Sequence, residues 1–175
     1  MDDRARVQEL IGRPPQSSFE VVVRDASGDP VVLRNAPFLD DATPMPTRYY
    51  LVGSDIVRAV SRIEAAGGVR SAEAEIPEAD IEAAHTNYAA ERDAAIDPHH
   101  TGPRPSGGVG GTRRGVKCLH AHVAHLLAGR DDAVGSWTLA RLGADRGVLE
   151  GLQPPAPDIT ARIDTDSVGT ETPND

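Results

Sequence analysis

The residue types best suited to chemistry are concentrated in the middle of the chain. Five of the six histidines lie between positions 98 and 130, a stretch of 33 residues that has no acidic side chain. The same stretch holds Cys118, the single cysteine, and Lys117, the single lysine. Thiol and imidazole groups bind transition metals and serve as nucleophile and general base in catalysis. This stretch is therefore the first candidate for a functional site.

A glycine-rich segment precedes the helix predicted over residues 116–128. Glycines let the backbone approach a ligand, and the first N–H groups of a helix favour an anion. The segment lacks the spacing of a Walker loop or of a dinucleotide-binding fingerprint. It is either a flexible linker or a site for a small anion such as phosphate. The residues of the anion site would be Gly110, Gly111, Arg113, Arg114 and Lys117.

Metal binding is a second interpretation of the same helix. At 100° per residue Cys118, His122 and His125 share a face, but the helical rise separates the two ends by about 10 Å. One zinc ion can therefore take a neighbouring pair of these residues, and its other ligands must come from elsewhere. The candidates for these are His85, His99, His100 and Asp25, whereas His120 is expected to point away if the helix is regular. Packing histidines on an Ala/Leu-rich helix are the alternative.

A reactive thiol is a third interpretation. Cys118 would lie in the first helical turn beside a cation, the setting that activates thiols, and a histidine nearby would supply a base. A small buried cysteine is the alternative. The candidate catalytic residues are Cys118, His120, His125, His85, Tyr88, Glu91 and Arg92.

Four of these candidates, His85, Tyr88, Glu91 and Arg92, lie on a second helix, predicted over residues 77–96. Its stripe combines apolar and polar side chains, namely Ile81, Ala84, His85, Tyr88, Arg92 and Ala95. A buried His or Arg costs several kcal/mol unless partners satisfy its polar atoms. The 116–128 helix supplies such partners, so the two helices are expected to face each other across one polar pocket.

The remaining pattern predicts a small α+β domain. Apolar and β-branched runs predict strands over 19–24, 31–34 and 48–52, the first two joined by a turn at 25–28. Helices are predicted over 4–11, from Ser54 to a glycine stop at 67–68, and over 134–142. The expected fold is a small antiparallel sheet packed against three or four helices in one domain of residues 1–152. Residues 96–115 form a Gly/Pro-rich loop, and residues 153–175 a disordered acidic tail.

Charge and composition narrow the function classes. The net charge of −9 argues against general nucleic-acid binding, which depends on neutralised phosphates. No apolar run is long enough for a membrane span, and the N-terminus lacks a signal-peptide core. A single cysteine fits a reducing compartment. A cytoplasmic protein is expected.

Three motifs resemble the actinobacterial family called domain of unknown function 501. They are TPMPTRYYL at 43–51, HTNY with ERD at 85–93, and VKCLH with AH at 116–125. The resemblance covers residues 8–145 and implies no established activity. Genes of this family often lie beside those of enolase and a septum-formation initiator, which implies a housekeeping context.

The family pattern also bears on the site. It keeps the residues that match His85, Tyr88, Glu91, Arg92, Cys118, His120 and His125, but not His122. This implies a site built from two helices. Many relatives carry a cysteine where this chain has Asp25, so a cysteine-rich zinc site is not implied here.

Two function classes follow. The first is a binding or scaffold protein of the cytoplasm, linked to cell division or envelope growth. The second is a small metal- or anion-binding enzyme with a Cys/His pocket. The partner is a small anion or another protein, and the sequence leaves both the cofactor and the presence of an enzymatic activity open.

Overall fold

An antiparallel sheet and a set of helices build the described part of the chain, residues 2–153 of a computed structural model. The strands, in the spatial order β1-β2-β3, are β1 (Phe19–Arg24), β2 (Pro30–Asn35) and β3 (Tyr49–Leu51). The α-helices are α1 (Asp3–Ile11), α2 (Ser54–Ala65), α3 (Gly68–Glu75), α4 (Glu78–Ala94), α5 (Leu119–Leu127) and α6 (Ala133–Ala140). The predicted α+β class and antiparallel sheet are confirmed, while the predicted tail from residue 154 onward lies outside the described residues.

Asp25 closes the β1–β2 hairpin, because its Oδ1 accepts the backbone N–H groups of Ser27 and Asp29, each at 2.9 Å.

The sheet is covered on both faces. Within β2, Val32 faces the main core and Leu33 faces a smaller core beneath Val7 of α1. Burial on both faces explains why β2 is apolar without a strict alternation.

Helix α3 is an element that the sequence pattern did not predict. The pair Gly67-Gly68 was expected only to stop α2, and Gly67 does so with a positive φ of 90°. Gly68 instead begins the next helix, and its backbone lies so close to α2 that a Cβ there would be 2.6 Å from the carbonyl oxygen of Ile63. The glycine pair thus joins two helices at a tight corner.

Helix boundaries differ most at α5. The predicted helix begins at residue 116, whereas α5 begins at Leu119 and Cys118 is its N-cap. The backbone of Cys118 is extended, with φ −158° and ψ 123°.

Within the described residues, no helix has the length and apolarity needed to cross a membrane.

Candidate functional site

The extended backbone at the start of α5 decides where Cys118 points. The expectation that His120 lies on the opposite side assumed 100° per residue from position 118, and this is wrong because Cys118 precedes the helix. The thiol and the imidazole instead lie side by side, with Sγ 3.7 Å from Nδ1 of His120. The structure thus pairs Cys118 with His120 rather than with His122 or His125.

Glu64, near the end of α2, joins this pair. Its Oε1 accepts the backbone N–H of Leu119 at 2.5 Å and lies 3.2 Å from Nδ1 of His120. The carboxylate therefore caps α5 and faces the imidazole at the same time. One ligand-type atom each from Glu64, Cys118 and His120 lies within 4.8 Å of the others, and we call these three residues the thiol cluster.

A second contact sets the orientation of the His120 ring. Its Nε2–H donates to the carbonyl oxygen of Val57 at 3.1 Å, which leaves Nδ1 facing the sulfur and the carboxylate. Burial disfavours the charged ring, but the Cys118 sulfur and the Glu64 carboxylate outweigh it and raise the pKa of His120 to about 9. Without a metal, the ring is therefore an imidazolium that shares its Nδ1 proton with both neighbours.

The thiol cluster opens into a small pocket of about 180 Å³. Cys118 and His120 line one side of it, and β3 with the preceding Thr47 forms another wall. Gly110 and Lys117 complete the lining together with Ala121. A ligand that enters this pocket reaches the thiol and the imidazole.

The other two histidines of α5 form a separate cluster in the interior. Nδ1–H of His122 and of His125 each donates to the carboxylate of Asp132, at 2.9 Å in both cases. Asp132 also accepts the backbone N–H of Gly135 at 2.8 Å and so caps α6. Burial opposes ionisation of this carboxylate, but the hydrogen bonds from the two histidines prevail and lower the pKa of Asp132 to about 2. We call these three residues the carboxylate cluster.

The carboxylate cluster is enclosed. The side chains of His122 and His125 are each 1% exposed, and that of Asp132 is 0% exposed. Their Nε2 atoms are buried and have no hydrogen-bond partner among the described residues. The His125 ring packs edge-on against Tyr88, with centroids 5.1 Å apart. This cluster locks α5 to α6 and does not open into the pocket of the thiol cluster.

The polar stripe on α4 holds the glycine-rich loop in place. His85 accepts the N–H of Val109 at its Nδ1, at 3.0 Å, and donates from Nε2 to the carbonyl oxygen of Gly115 at 2.9 Å. The guanidinium of Arg92, which is 2% exposed, donates to the carbonyl oxygen of Gly107 at 2.6 Å. His85 thus uses both ring nitrogens on the loop backbone, whereas Arg92 uses one nitrogen there and pairs Nε and Nη2 with the carboxylate of Asp93, at 2.9 and 2.8 Å. These partners explain the burial of both side chains.

Tyr88 and Glu91 form hydrogen bonds with residues at the start of the edge strand β3. The hydroxyl of Tyr88 accepts the backbone N–H of Arg48 at 2.5 Å. Glu91 accepts the hydroxyl of Tyr49 and forms an ion pair with Arg130, whose Nε lies 2.9 Å from Oε2. The predicted meeting of the two helices thus holds for Tyr88 and His125, while Cys118 and His120 meet α2 instead of α4.

The predicted anion residues separate into two groups. Gly110 and Lys117 line the pocket, whereas Gly111, Arg113 and Arg114 do not, and the two arginines are exposed on the loop. The first free N–H of α5, which was expected to face an anion, is taken by Glu64. Asp25 lies in the hairpin turn and is no neighbour of the thiol cluster.

The two carboxylates at the centre of the clusters were not among the predicted site residues. Glu64 follows Val57 and Val60 at i+7 and i+4, so it is an acid on the apolar stripe of α2, which is a recognisable signal. Asp132 stands directly before a predicted helix, where an N-cap is expected. The histidine partner of each carboxylate is set by tertiary contacts, so the sequence pattern does not predict which histidine it binds.

Comparison with known proteins identifies a family and gives no activity. No curated protein and no solved structure matches this chain. Residues 21–140, which include both histidine clusters and the glycine-rich loop, match the family described as "Protein of unknown function (DUF501)". The chain belongs to this family.

Proposed function

We propose that Glu64, Cys118 and His120 bind a divalent transition metal ion, with Zn²⁺ as the best fit. The distances between the ligand atoms carry this proposal. Zinc bonds of about 2.3 Å to sulfur and about 2.0–2.1 Å to nitrogen and oxygen, at tetrahedral angles, place neighbouring ligands about 3.4–3.6 Å apart. The corresponding separations are 3.7 Å from Sγ to Nδ1 and 3.2 Å from Nδ1 to Oε1.

The surroundings of His120 support the same assignment. Histidines that bind metals donate their other ring N–H to a carbonyl or carboxylate, which fixes the tautomer and the ring plane. The bond from Nε2–H of His120 to the carbonyl oxygen of Val57 has this form. A metal ion would replace the Nδ1 proton that the three groups share.

Three protein ligands beside a pocket resemble a catalytic zinc site rather than a structural one, because a fourth position is left for water or a ligand. Zinc lowers the pKa of bound water to near neutrality and polarises carbonyl or phosphoryl oxygens. Hydrolysis of a small molecule is therefore the reaction class we propose for the pocket.

The test is metal binding by the full chain and by three ligand variants, C118S, H120Q and E64Q. One equivalent of Zn²⁺ should bind to the parent protein, and each variant should lose at least about 100-fold in affinity, more than the loss of an outer hydrogen bond causes. The matched control is H99Q, because His99 is exposed and distant in sequence from the cluster. Binding that survives all three changes would disprove the site.

Proton release on metal binding provides an independent test of coordination by His120. His120, with a pKa of about 9, is protonated at neutral pH and must lose a proton when the metal binds. The apparent affinity should therefore rise about tenfold or more per pH unit up to pH 9. An affinity independent of pH between 6 and 8 would contradict coordination by His120.

Thiol chemistry is a second candidate, favoured by the 3.7 Å separation between Cys118 Sγ and His120 Nδ1. A positive charge next to a sulfur is the setting that favours thiol reactivity, and His120 provides it in the metal-free protein. Iodoacetamide should then alkylate Cys118 faster in the parent protein than in H120Q, and saturating Zn²⁺ should suppress the reaction. Equal rates in both proteins would rule out activation by His120.

The binding or scaffold role linked to cell division, and the cytoplasmic location, stay predictions. Tyr50 is the large exposed hydrophobic residue of the described part of the chain, and it borders the pocket. This favours the small-ligand site over a broad apolar docking surface.

A further inference from the structure

The charge of the pocket indicates what kind of molecule enters it. Lys117 and His120 are the basic side chains of the lining, and among the described residues no carboxylate lines the pocket. Glu64 lies behind Cys118 and His120, where it is occupied by the helix N-terminus and the imidazole. A ligand in the pocket therefore meets a lysine, a sulfur and an imidazole in the same lining.

A bound metal ion would keep this polarity. A divalent cation held by a carboxylate, a thiolate and a neutral imidazole forms a group without net charge, so Lys117 leaves the pocket positive. The open metal position accepts an oxygen donor, and the ammonium group provides up to three N–H donors for further oxygens. Both features favour a ligand with at least two anionic oxygens.

Size sets the second limit. The pocket volume of about 180 Å³ is below the roughly 300–1,000 Å³ of sites for drug-sized ligands. It accommodates a phosphate or carboxylate group but not a nucleotide or a peptide segment. The bound molecule is therefore a small oxyanion or the oxyanion head of a larger molecule.

We infer that the ligand of the thiol cluster is a small oxyanion, held by the open position of the metal and by Lys117. This inference rests on the metal site proposed above. It places the anion at Lys117 and Gly110 and not at Arg113 and Arg114, which are exposed outside the pocket. The glycine at position 110, with φ +65°, keeps this wall free of a side chain beside Lys117.

The experiment uses the full chain loaded with Co²⁺, whose visible absorption reports on thiolate ligation and on the fourth ligand. The probes are inorganic phosphate and acetate, titrated at constant ionic strength against chloride. Phosphate should shift the Co²⁺ bands saturably. Lysine removal in K117Q should weaken this binding at least about tenfold, the equivalent of one charge-assisted hydrogen bond. R113Q is the matched control and should change it less than about twofold.

The outcomes separate the two proposals. A cobalt spectrum with sulfur ligation that neither anion changes would keep the metal site and overturn the oxyanion inference. Equal phosphate affinity in K117Q and the parent protein would also overturn it. Absence of cobalt binding would overturn both. A response to acetate but not phosphate would support the inference and assign a carboxylate head.

Discussion

Helix α5 carries two histidine clusters that differ in every property relevant to function. His120 lies beside a pocket, is 21% exposed and shares its proton with a thiol and a carboxylate. His122 and His125 are enclosed and donate to one carboxylate that also caps the next helix. The same residue type, two and three positions apart, thus belongs once to the proposed site and twice to the core.

The element that packs against each histidine determines its surroundings. Helix α2 brings Glu64 to the start of α5 and leaves a ligand face open, whereas α6 brings Asp132 into the interior and covers it. Charge–histidine pairs in the core stabilise a particular packing when every partner is present. Changes at the two clusters should therefore affect different measurements.

The largest effect is expected for Asp132→Ala. The change would leave the Nδ1–H groups of His122 and His125 and the backbone N–H of Gly135 without an acceptor. The free energy of unfolding should therefore fall by about 3–5 kcal/mol. Denaturant unfolding measures this loss. Asp131→Ala is the control, because the neighbouring side chain is exposed and should change stability by less than about 0.5 kcal/mol. Similar losses in both variants would show that the carboxylate cluster does not stabilise the core.

A smaller loss is expected for His122→Gln. Asp132 keeps its bonds to His125 and Gly135, so one hydrogen bond is lost and a cost of about 1–3 kcal/mol follows. Zn²⁺ affinity should stay unchanged, because His122 does not belong to the thiol cluster. A loss of Zn²⁺ binding without unfolding would assign the metal to the carboxylate cluster instead.

Glu64→Gln should have the opposite effects, namely a large loss of Zn²⁺ affinity and only a small loss of stability. The amide oxygen of Gln can still accept the N–H of Leu119, so the metal-free protein keeps the helix cap and loses the ion pair with His120, and its stability should fall by about 1 kcal/mol. Metal affinity should fall sharply, because the anionic ligand is gone. Isothermal titration with Zn²⁺ and unfolding in chelator, carried out on one preparation, compare the two effects. A stability loss as large as that of Asp132→Ala would contradict the functional assignment of Glu64.

The most specific effect concerns pH. The folded pKa of Asp132 is lowered to about 2 from 3.8, so its contribution to stability is present above pH 3.8 and is lost as pH falls through 2. The folded pKa of His120 is raised to about 9 from 6.5, so its contribution is complete below pH 6.5 and is lost as pH rises through 9.

Melting temperatures of the metal-free protein from pH 2 to 10 should therefore fall at both ends. H120Q should flatten the alkaline fall and keep the acidic one, since the two clusters are separate. An alkaline fall that is unchanged in H120Q would show that the thiol cluster does not hold an imidazolium.

Much of the fold could be predicted from local chemistry. The β1–β2 hairpin follows from two β-branched runs around an Asx turn, and α4 follows from a stripe whose polar members are indeed buried. Helix α3 was missed because two adjacent glycines resemble a stop, and only the close approach of Gly68 to Ile63 shows why the chain turns there.

The site was predictable in part. The sequence pattern selected the stretch that contains Cys118 and His120, and the resemblance identified the family. The assumed helical geometry then paired Cys118 with the wrong histidines, since it depended on where α5 begins. That boundary is set by Glu64, which caps Leu119 from another helix.

Local sequence patterns were sufficient to predict the sheet, all α-helices except α3, and the acid-free segment that holds Cys118 and five histidines. These properties depend on side-chain periodicity and composition, which act over a few residues. Long-range packing determines which histidine meets a thiol and which meets a buried carboxylate. Glu64 is 55 residues away from its partner Leu119, and no local pattern records that contact, because it forms only when α2 and α5 pack together.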